Sequence, residues 1–399
     1  MIKVLKKNNQ AVEWDFSKIV KASNKAAKRI SKQLTEEQKS ELEVIIKNYT
    51  KGRDVISVAE LHNIVETGLE KIDPEIAGSY KSFRNYKQDF VSIWEELYKK
   101  SKGVIYGADK ENANFLSTLI STKGSLIRGY LTKELYRKYY LSKDELKAID
   151  EGFIYIHDLR DLIFGSINCC LFDMGKVLEG GFEMSNLHYS EPTSVESALQ
   201  VIGDVTLAAS SQQFGGFTIP EIDKILIKYC KKTLEKQTKQ LEEEFKLCGA
   251  SLFEEDIEKI IWKRLERELE QGFQSLEMKL NSVPSSRGDF AFTTLTFGCV
   301  DVEDVMDAKI QRLVCHKILD TRMFGQKDKA PVVFPKLVYL YSEEQHKTPD
   351  QQELFDHVVK CCSVAMYPDV LSLDNGEVGR LYKETGKVVS PMGEELQVA

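Results

Sequence analysis

Apolar positions along the chain fall into two rhythms. One recurs every three or four residues, as the buried stripe of an amphipathic helix does. The other packs β-branched and aromatic residues into short runs, as strands do. The helical rhythm starts after Asp15, placed as an N-cap ahead of Ile19, Val20, Ala26 and Ile30. It continues over Glu36 to Lys47, over a helix opened by Ser57-x-x-Glu60 at capping-box spacing, and over Pro74 to Tyr98. Later helices are predicted at Val195 to Val205, Val305 to Met323 and Gln351 to Val364. Residues 221–281 form a charged helical insertion. Ile227, Cys230, Leu234, Leu241 and Phe245 recur at helical gaps, and so do Ile257, Ile261, Leu265, Leu269, Phe273, Leu276 and Leu280. Ser251-x-x-Glu254 supplies a capping box for the second helix. The narrow stripe, flanked by Lys and Glu, predicts that these helices pair with each other or with another subunit; an intrachain hairpin is the simpler arrangement.

The strand rhythm marks Ile2 to Leu5 and Ala11 to Trp14, with Asn8-Asn9 between them as a hairpin turn. It marks five more runs, near residues 153, 167, 292, 332 and 388. The helix between the runs at 292 and 332 makes a βαβ unit, hence parallel pairing and a right-handed crossover. Pro335 within its run predicts an edge or a bulge there. Five parallel strands and their helices define an α/β class. Residues 98–111, polar and holding two glycines, read as a linker without helical period. It separates an N-terminal module, 1–97, from a larger part, 112–399.

Composition narrows the classes. The chain has 399 residues, 42% hydrophobic and 29% charged, with net charge −7, which suits a globular protein of two or three domains. No run reaches the ~18 apolar residues of a membrane span, and MIKVLKKNN lacks a signal-peptide core. Net acidity argues against a general nucleic-acid binder. The eight cysteines include no CxxC, so no zinc knuckle is visible, no metal site is predicted, and a reducing, cytoplasmic compartment is expected.

Candidate chemistry concentrates in Phe153 to Asp173. Strand alternation lets only one of Cys169 and Cys170 face a given cavity. By themselves the two are also what an inert buried pair looks like. His157-Asp158 reads either as a substrate-orienting pair or as a structural hydrogen bond. Gly215-Gly216 reads as a close backbone approach to a ligand or as a tight turn.

Two resemblances bear on these choices. Lys3-Val4-Leu5-Lys6-Lys7, Val12, Asp15-Phe16-x-Lys18-Ile19, Val58-x-Glu60-Leu61-His62-x-x-Val65-Glu66 and Tyr80-x-x-Phe83-Arg84 resemble the ATP-cone, a regulatory nucleotide-binding domain of ribonucleotide reductases. The resemblance implies that Lys6, Lys7 and Lys18 contact a triphosphate, with Val12, Val58 and His62 around base and sugar. Taken alone, such lysines are also ordinary surface. Farther on, several blocks occur in order: Asn112-Ala113-Asn114, Ile156-His157-Asp158-Leu159, Asn168-Cys169-Cys170-Leu171-x-Asp173, Gly181-Phe182 and Ser210-Ser211-Gln212-Gln213-Phe214-Gly215-Gly216. With Pro284-Ser285-Ser286-Arg287-Gly288, Thr293 to Gly298 and Phe334 to Val338, they resemble the anaerobic, glycyl-radical (class III) ribonucleoside-triphosphate reductases.

The class III resemblance implies that the larger part is the first half of a ten-stranded α/β barrel. It implies radical reduction of ribonucleoside triphosphates under ATP/dATP control. Cys169, after Asn168, would be the catalytic cysteine that delivers hydrogen, Cys170 being structural. His157, Asp158, Ser211, Gln213, Gly215 and Gly216 would contact substrate. Formate or a thiol system would complete the reduction, a radical-SAM enzyme would install the glycyl radical, and the helical insertion would serve a homodimer interface and a specificity site. Val388 to Gly393 matches the approach to a thiyl loop, but Glu394 stands where the family has cysteine. On that reading the thiyl cysteine, glycyl radical and zinc tail belong to a C-terminal half, and this chain is inactive alone. The alternative is a nucleotide-binding or dimerisation fragment without catalysis.

Overall fold

The computed structural model describes residues 3–6, 10–106, 118–165, 167–213, 215–249, 253–285, 288–298, 302–325, 332–386 and 388–390, the side chains of 86–90 and 104–105 excepted. Lys7, Asn8-Asn9, Asn112 to Asn114, Phe214, Ser251, Ser286-Arg287 and the segment with Glu394 lie outside them. The chain divides into two compact units, Met1–Lys99 and Lys100–Ala399.

In the first unit β1 (Lys3–Leu5) pairs antiparallel with β2 (Ala11–Glu13). The Lys6 amide donates to the Gln10 carbonyl at 2.9 Å and closes the hairpin. α1 (Phe16–Arg29) starts where Asp15 accepts from the Ser17 amide, and α2 (Glu36–Thr50) starts on a Thr35–Gln38 capping box. β3 (Val55–Ser57), too short for a sequence rhythm to flag, pairs parallel with β1. Ser57 then caps α3 (Val58–Ile72) in the box its spacing with Glu60 predicts. α4 (Pro74–Tyr106) follows. Its last turns correct the linker reading: 98–106 is helical, because Lys and Glu around it favour helix and one glycine costs only about 1 kcal/mol. Leu42, Ile46, Val65, Leu69 and Ile76 are buried together as this unit's core.

The second unit opens with α5 (Ile120–Tyr139) and α6 (Lys143–Asp150). After β4 (Cys170–Leu171) come α7 (Met174–Leu178), the hairpin β5 (Phe182–Met184) and β6 (Leu187–Tyr189), and α8 (Val195–Ser210). β7 (Phe217–Ile219), α9 (Ile222–Cys248), α10 (Glu254–Ser282), β8 (Thr293–Phe297) and α11 (Val305–Phe324) continue the chain. β9 (Lys336–Tyr341), α12 (Pro349–Ala365), β10 (Asp369–Ser372) and α13 (Gly376–Thr385) complete it. The sheet order is β10-β9-β8-β7-β4, every pair parallel.

The expected five parallel strands are present, but two differ in identity. Phe153 to His157 is not a strand. Phe153 and Ile154 both donate to the Ala148 carbonyl, so the run finishes α6 and leaves Phe153 and Tyr155 exposed. Val388 to Ser390 has no ladder either. The strands in their stead are β7, directly after the glycine pair, and β10. Pro335 stands just before β9, which is an interior strand, so neither an edge nor a bulge is needed.

α9 and α10 form the crossover from β7 to β8. The stripe Leu265, Leu269, Phe273, Leu276 and Leu280 is buried in the main core, with Gly272 against Leu199 of α8. That part of the stripe is therefore not available to a second subunit. α10 has Phe253 as its N-cap, with no side-chain cap bond; the capping box expected from Ser251 lies outside the described residues.

Candidate active site

The sheet gives its two faces different chemistry. Phe217, Leu295, Phe297, Leu337 and Tyr339 point into the helix-covered core, and Cys170 and Phe172 join them from the edge strand β4. Side chains alternate along a strand, so Cys169 and Leu171 share the opposite face. The register Leu171↔Thr218↔Thr294 puts hydroxyls beside them. Thr218, Thr294 and Thr296 are all buried, and the Thr294 Oγ1 has no hydrogen-bond partner. Thr296 Oγ1 lies 3.1 Å from Ser390 Oγ and accepts from the Glu221 amide at 2.9 Å. The sequence reading passed over these threonines, although the alternation Thr294-Leu295-Thr296-Phe297 was legible.

Cys169 sits directly ahead of β4, beside the glycine pair that leads into β7. Ile167 bridges Gln213, the Gly215 amide donates to the Asn168 carbonyl at 2.8 Å, and the Cys170 amide donates to the Gly216 carbonyl at 3.0 Å. The Cys169 sulfur accepts from the Gly216 amide at 3.1 Å and its thiol donates to Asn168 Oδ1 at 3.3 Å. A Cβ on residue 215 would stand 2.5 Å from that sulfur and 2.1 Å from Asn168 Oδ1, so only glycine admits the approach. Gln213, buried, donates through Nε2 to the Gly215 and Gly216 carbonyls at 3.1 and 2.9 Å. Its Oε1 accepts from the Cys170 thiol at 3.1 Å. Burial, with the neighbouring Cys169, pushes the Cys170 thiol up against the opposing pull of the Gln213 bond.

Asn168, Cys169, Gln213, Gly215 and Gly216 thus converge. Ser211 turns its hydroxyl back to the Leu207 carbonyl at 3.1 Å. His157 and Asp158 pair with each other at 2.5 Å, Asp158 in the left-handed region at φ 49°. Asp158 lines a cavity of about 430 Å³ with Tyr130, Lys133, Arg137 and Arg160, and no member of the Cys169 cluster lines it.

In the first unit β1 pairs Leu5 with Ser57, which brings Lys6 alongside Val58, and Val4 with Val12. His62 Nδ1 lies 2.7 Å from the Tyr80 hydroxyl, whose burial pushes it up to about 12. Exposed Lys18 stands 3.6 Å from Asp15. A further buried carboxyl escaped the sequence reading. Asp223, in the first turn of α9, accepts through Oδ2 from the Gly298 amide at 3.0 Å and from Gln311 at 2.8 Å. Its Oδ1 has no partner, and burial pushes the carboxyl up. Among the described residues no three His, Cys, Asp or Glu side chains converge as metal ligands, and no helix is long and apolar enough to cross a membrane.

Comparison with known proteins gives two family matches: anaerobic ribonucleoside-triphosphate reductase over residues 111–399, and the ATP cone domain over residues 2–89. An anaerobic ribonucleoside-triphosphate reductase of Haemophilus influenzae is 28% identical over 98% of this chain and 54% of its own length. The Escherichia coli protein is 28% identical over 88% of this chain and 48% of its own. The chain therefore spans about half the length of the curated relatives it matches. Among solved structures, an anaerobic ribonucleotide reductase of Thermotoga maritima, in complex with dATP and CTP, aligns over 71% of this chain and 49% of its own. The TM-score is 0.45 and the identity 18%.

Proposed function

The chain belongs to the anaerobic ribonucleoside-triphosphate reductase family, and from that premise we propose that it takes part in reducing ribonucleoside triphosphates, with Cys169 as a reducing thiol and the first unit as an ATP/dATP sensor. One observation carries the reading: the Cys169 sulfur is held between the Gly216 amide and Asn168 Oδ1, on the sheet face opposite the helix-packed core. Removing the 2′-hydroxyl of a ribose requires hydrogen at that carbon, and a thiol fixed at a known spot can deliver it. Thr218, Thr294 and Thr296 stand buried beside that thiol, their hydroxyls on the same face. By the resemblance, the opening abstraction of a ribose hydrogen would fall to a thiyl generated by a glycyl radical, both on a separately supplied C-terminal half. Zinc finds no ligand set among the described residues, so no step is assigned to it. Formate or a thiol as final reductant, a homodimer, an activating enzyme and a separately supplied C-terminal half belong to the same proposal.

Anaerobic conversion of CTP to dCTP tests it, assayed with the activating enzyme and any polypeptide that co-purifies. Cys169→Ser is expected to lower turnover about a thousandfold or more while cone binding persists. Retention of turnover within about tenfold of the parent would remove Cys169 from the chemistry. For the cone, Lys6→Ala and Lys18→Ala are expected to weaken ATP and dATP binding about tenfold each, since each removes a charged phosphate contact. Titrations indistinguishable from the parent would end that assignment.

A further inference from the structure

Cys170 is turned away from Cys169 and packs against the main core, which gives it no direct part in chemistry on the other face. Its thiol nevertheless has one hydrogen-bond acceptor, Gln213 Oε1 at 3.1 Å, and that contact has a consequence. A glutamine amide has one acceptor end and one donor end, so the end taken by the thiol decides where the other points. With Oε1 toward Cys170, both Nε2 hydrogens fall on the Gly215 and Gly216 carbonyls. The Gly215 carbonyl shares its peptide plane with the Gly216 amide and the Gly216 carbonyl belongs to the next unit, and that amide is the donor to Cys169.

We propose that Cys170 is a positioning residue: acting through Gln213, it fixes the Gly215–Gly216 backbone in the orientation that aims the Gly216 N–H at the Cys169 sulfur. This deepens the functional reading of Cys169 and rests on it. The reverse orientation of the amide would set Oε1 against two carbonyl oxygens, and glycines have no side chain to hold the turn without the clamp. The thiol suits the task because burial keeps it protonated and hence a donor at neutral pH. An N–H donated to sulfur favours the thiolate, so losing the aim makes Cys169 harder to ionise.

The test is the pH dependence of Cys169 alkylation by iodoacetamide on the full chain, read by peptide mass spectrometry. Only the thiolate reacts, so the midpoint reports the sulfur's surroundings and needs no turnover. Cys170→Ala is expected to move the midpoint upward by about one pH unit, and Cys170→Ser, whose hydroxyl still donates to Gln213, to return it to the parent value. Gln213→Ala removes the clamp itself and is expected to shift the midpoint the same way, which secures the result if Cys170→Ala folds poorly. Midpoints identical in all four proteins would overturn the proposal, and so would equal shifts for Ala and Ser at 170, since packing alone would then be at issue. A shift with rescue, alongside full reductase activity in Cys169→Ser, would leave the positioning link standing and the functional reading fallen.

Discussion

At the scale of single residues, the account depends on a few side chains with no room to differ. Gly215→Ala forces a Cβ into the Cys169 sulfur and the Asn168 amide oxygen. Overpacking of this kind costs about 1–3 kcal/mol, so urea denaturation should show a loss of that size with Cys169 displaced. An unchanged midpoint would mean the turn is looser than drawn. Asp223 gives a pH signature. A buried carboxyl whose folded pKa lies above its ordinary 3.8 binds its proton more tightly folded than unfolded. Its contribution is complete below that value and declines as pH rises through the raised one. The stability of the parent relative to Asp223→Asn should therefore fall as pH rises above about 4. A flat difference in melting temperature across that range would contradict the burial argument. The orientation of Cys169 relative to Cys170 was legible from strand alternation. That of Gln213 was not, because which end of an amide faces which partner is settled only by atoms far away in sequence.

Among elements, α10 carries the clearest lesson. Its heptad-like stripe read as pairing with α9 or with another subunit, the intrachain hairpin being the simpler. α9 and α10 do pack on each other, and α8 also covers α10, with Leu269 fully buried in the main core. A narrow apolar stripe looks the same whether α8 or another subunit covers it, so periodicity alone could not choose. Leu269→Ala should cost about 2–5 kcal/mol in chemical denaturation, and Leu247→Ala, on the exposed end of α9, should be near neutral. Equal small effects would return the stripe to the surface. Arg322 of α11, with no exposed surface, donates to Glu277 of α10 at 2.7 Å and to the Pro335 carbonyl ahead of β9. Burial pushes Glu277 up despite Arg322. Glu277→Ala leaves a buried guanidinium uncompensated, an expected loss of about 3–5 kcal/mol. Helix starts were readable where a capping box was present, as at Ser57. Strands were readable where five or six residues alternated, as in β8 and β9. β3 and β7 have three residues each, and pairing across the sheet, not local sequence, makes them strands.

For the whole molecule, the two compact units have separate cores, one around Leu42 and Leu69 and one around Phe217 and Leu295. The α/β class and the five parallel strands were visible in the order of helical and strand runs. The membership of β7 and β10 was not, because exposed aromatics at 153–157 and a valine pair at 388–389 imitate strands that lack partners. The central claim is that the Cys169 face receives the nucleotide, and protection of that thiol tests it most directly. The full chain is alkylated anaerobically with and without saturating ribonucleoside triphosphate, and each cysteine is followed by mass spectrometry. The account predicts that nucleotide slows labelling of Cys169 at least about tenfold while exposed Cys248 labels as before. Equal labelling of Cys169 with and without nucleotide would contradict it.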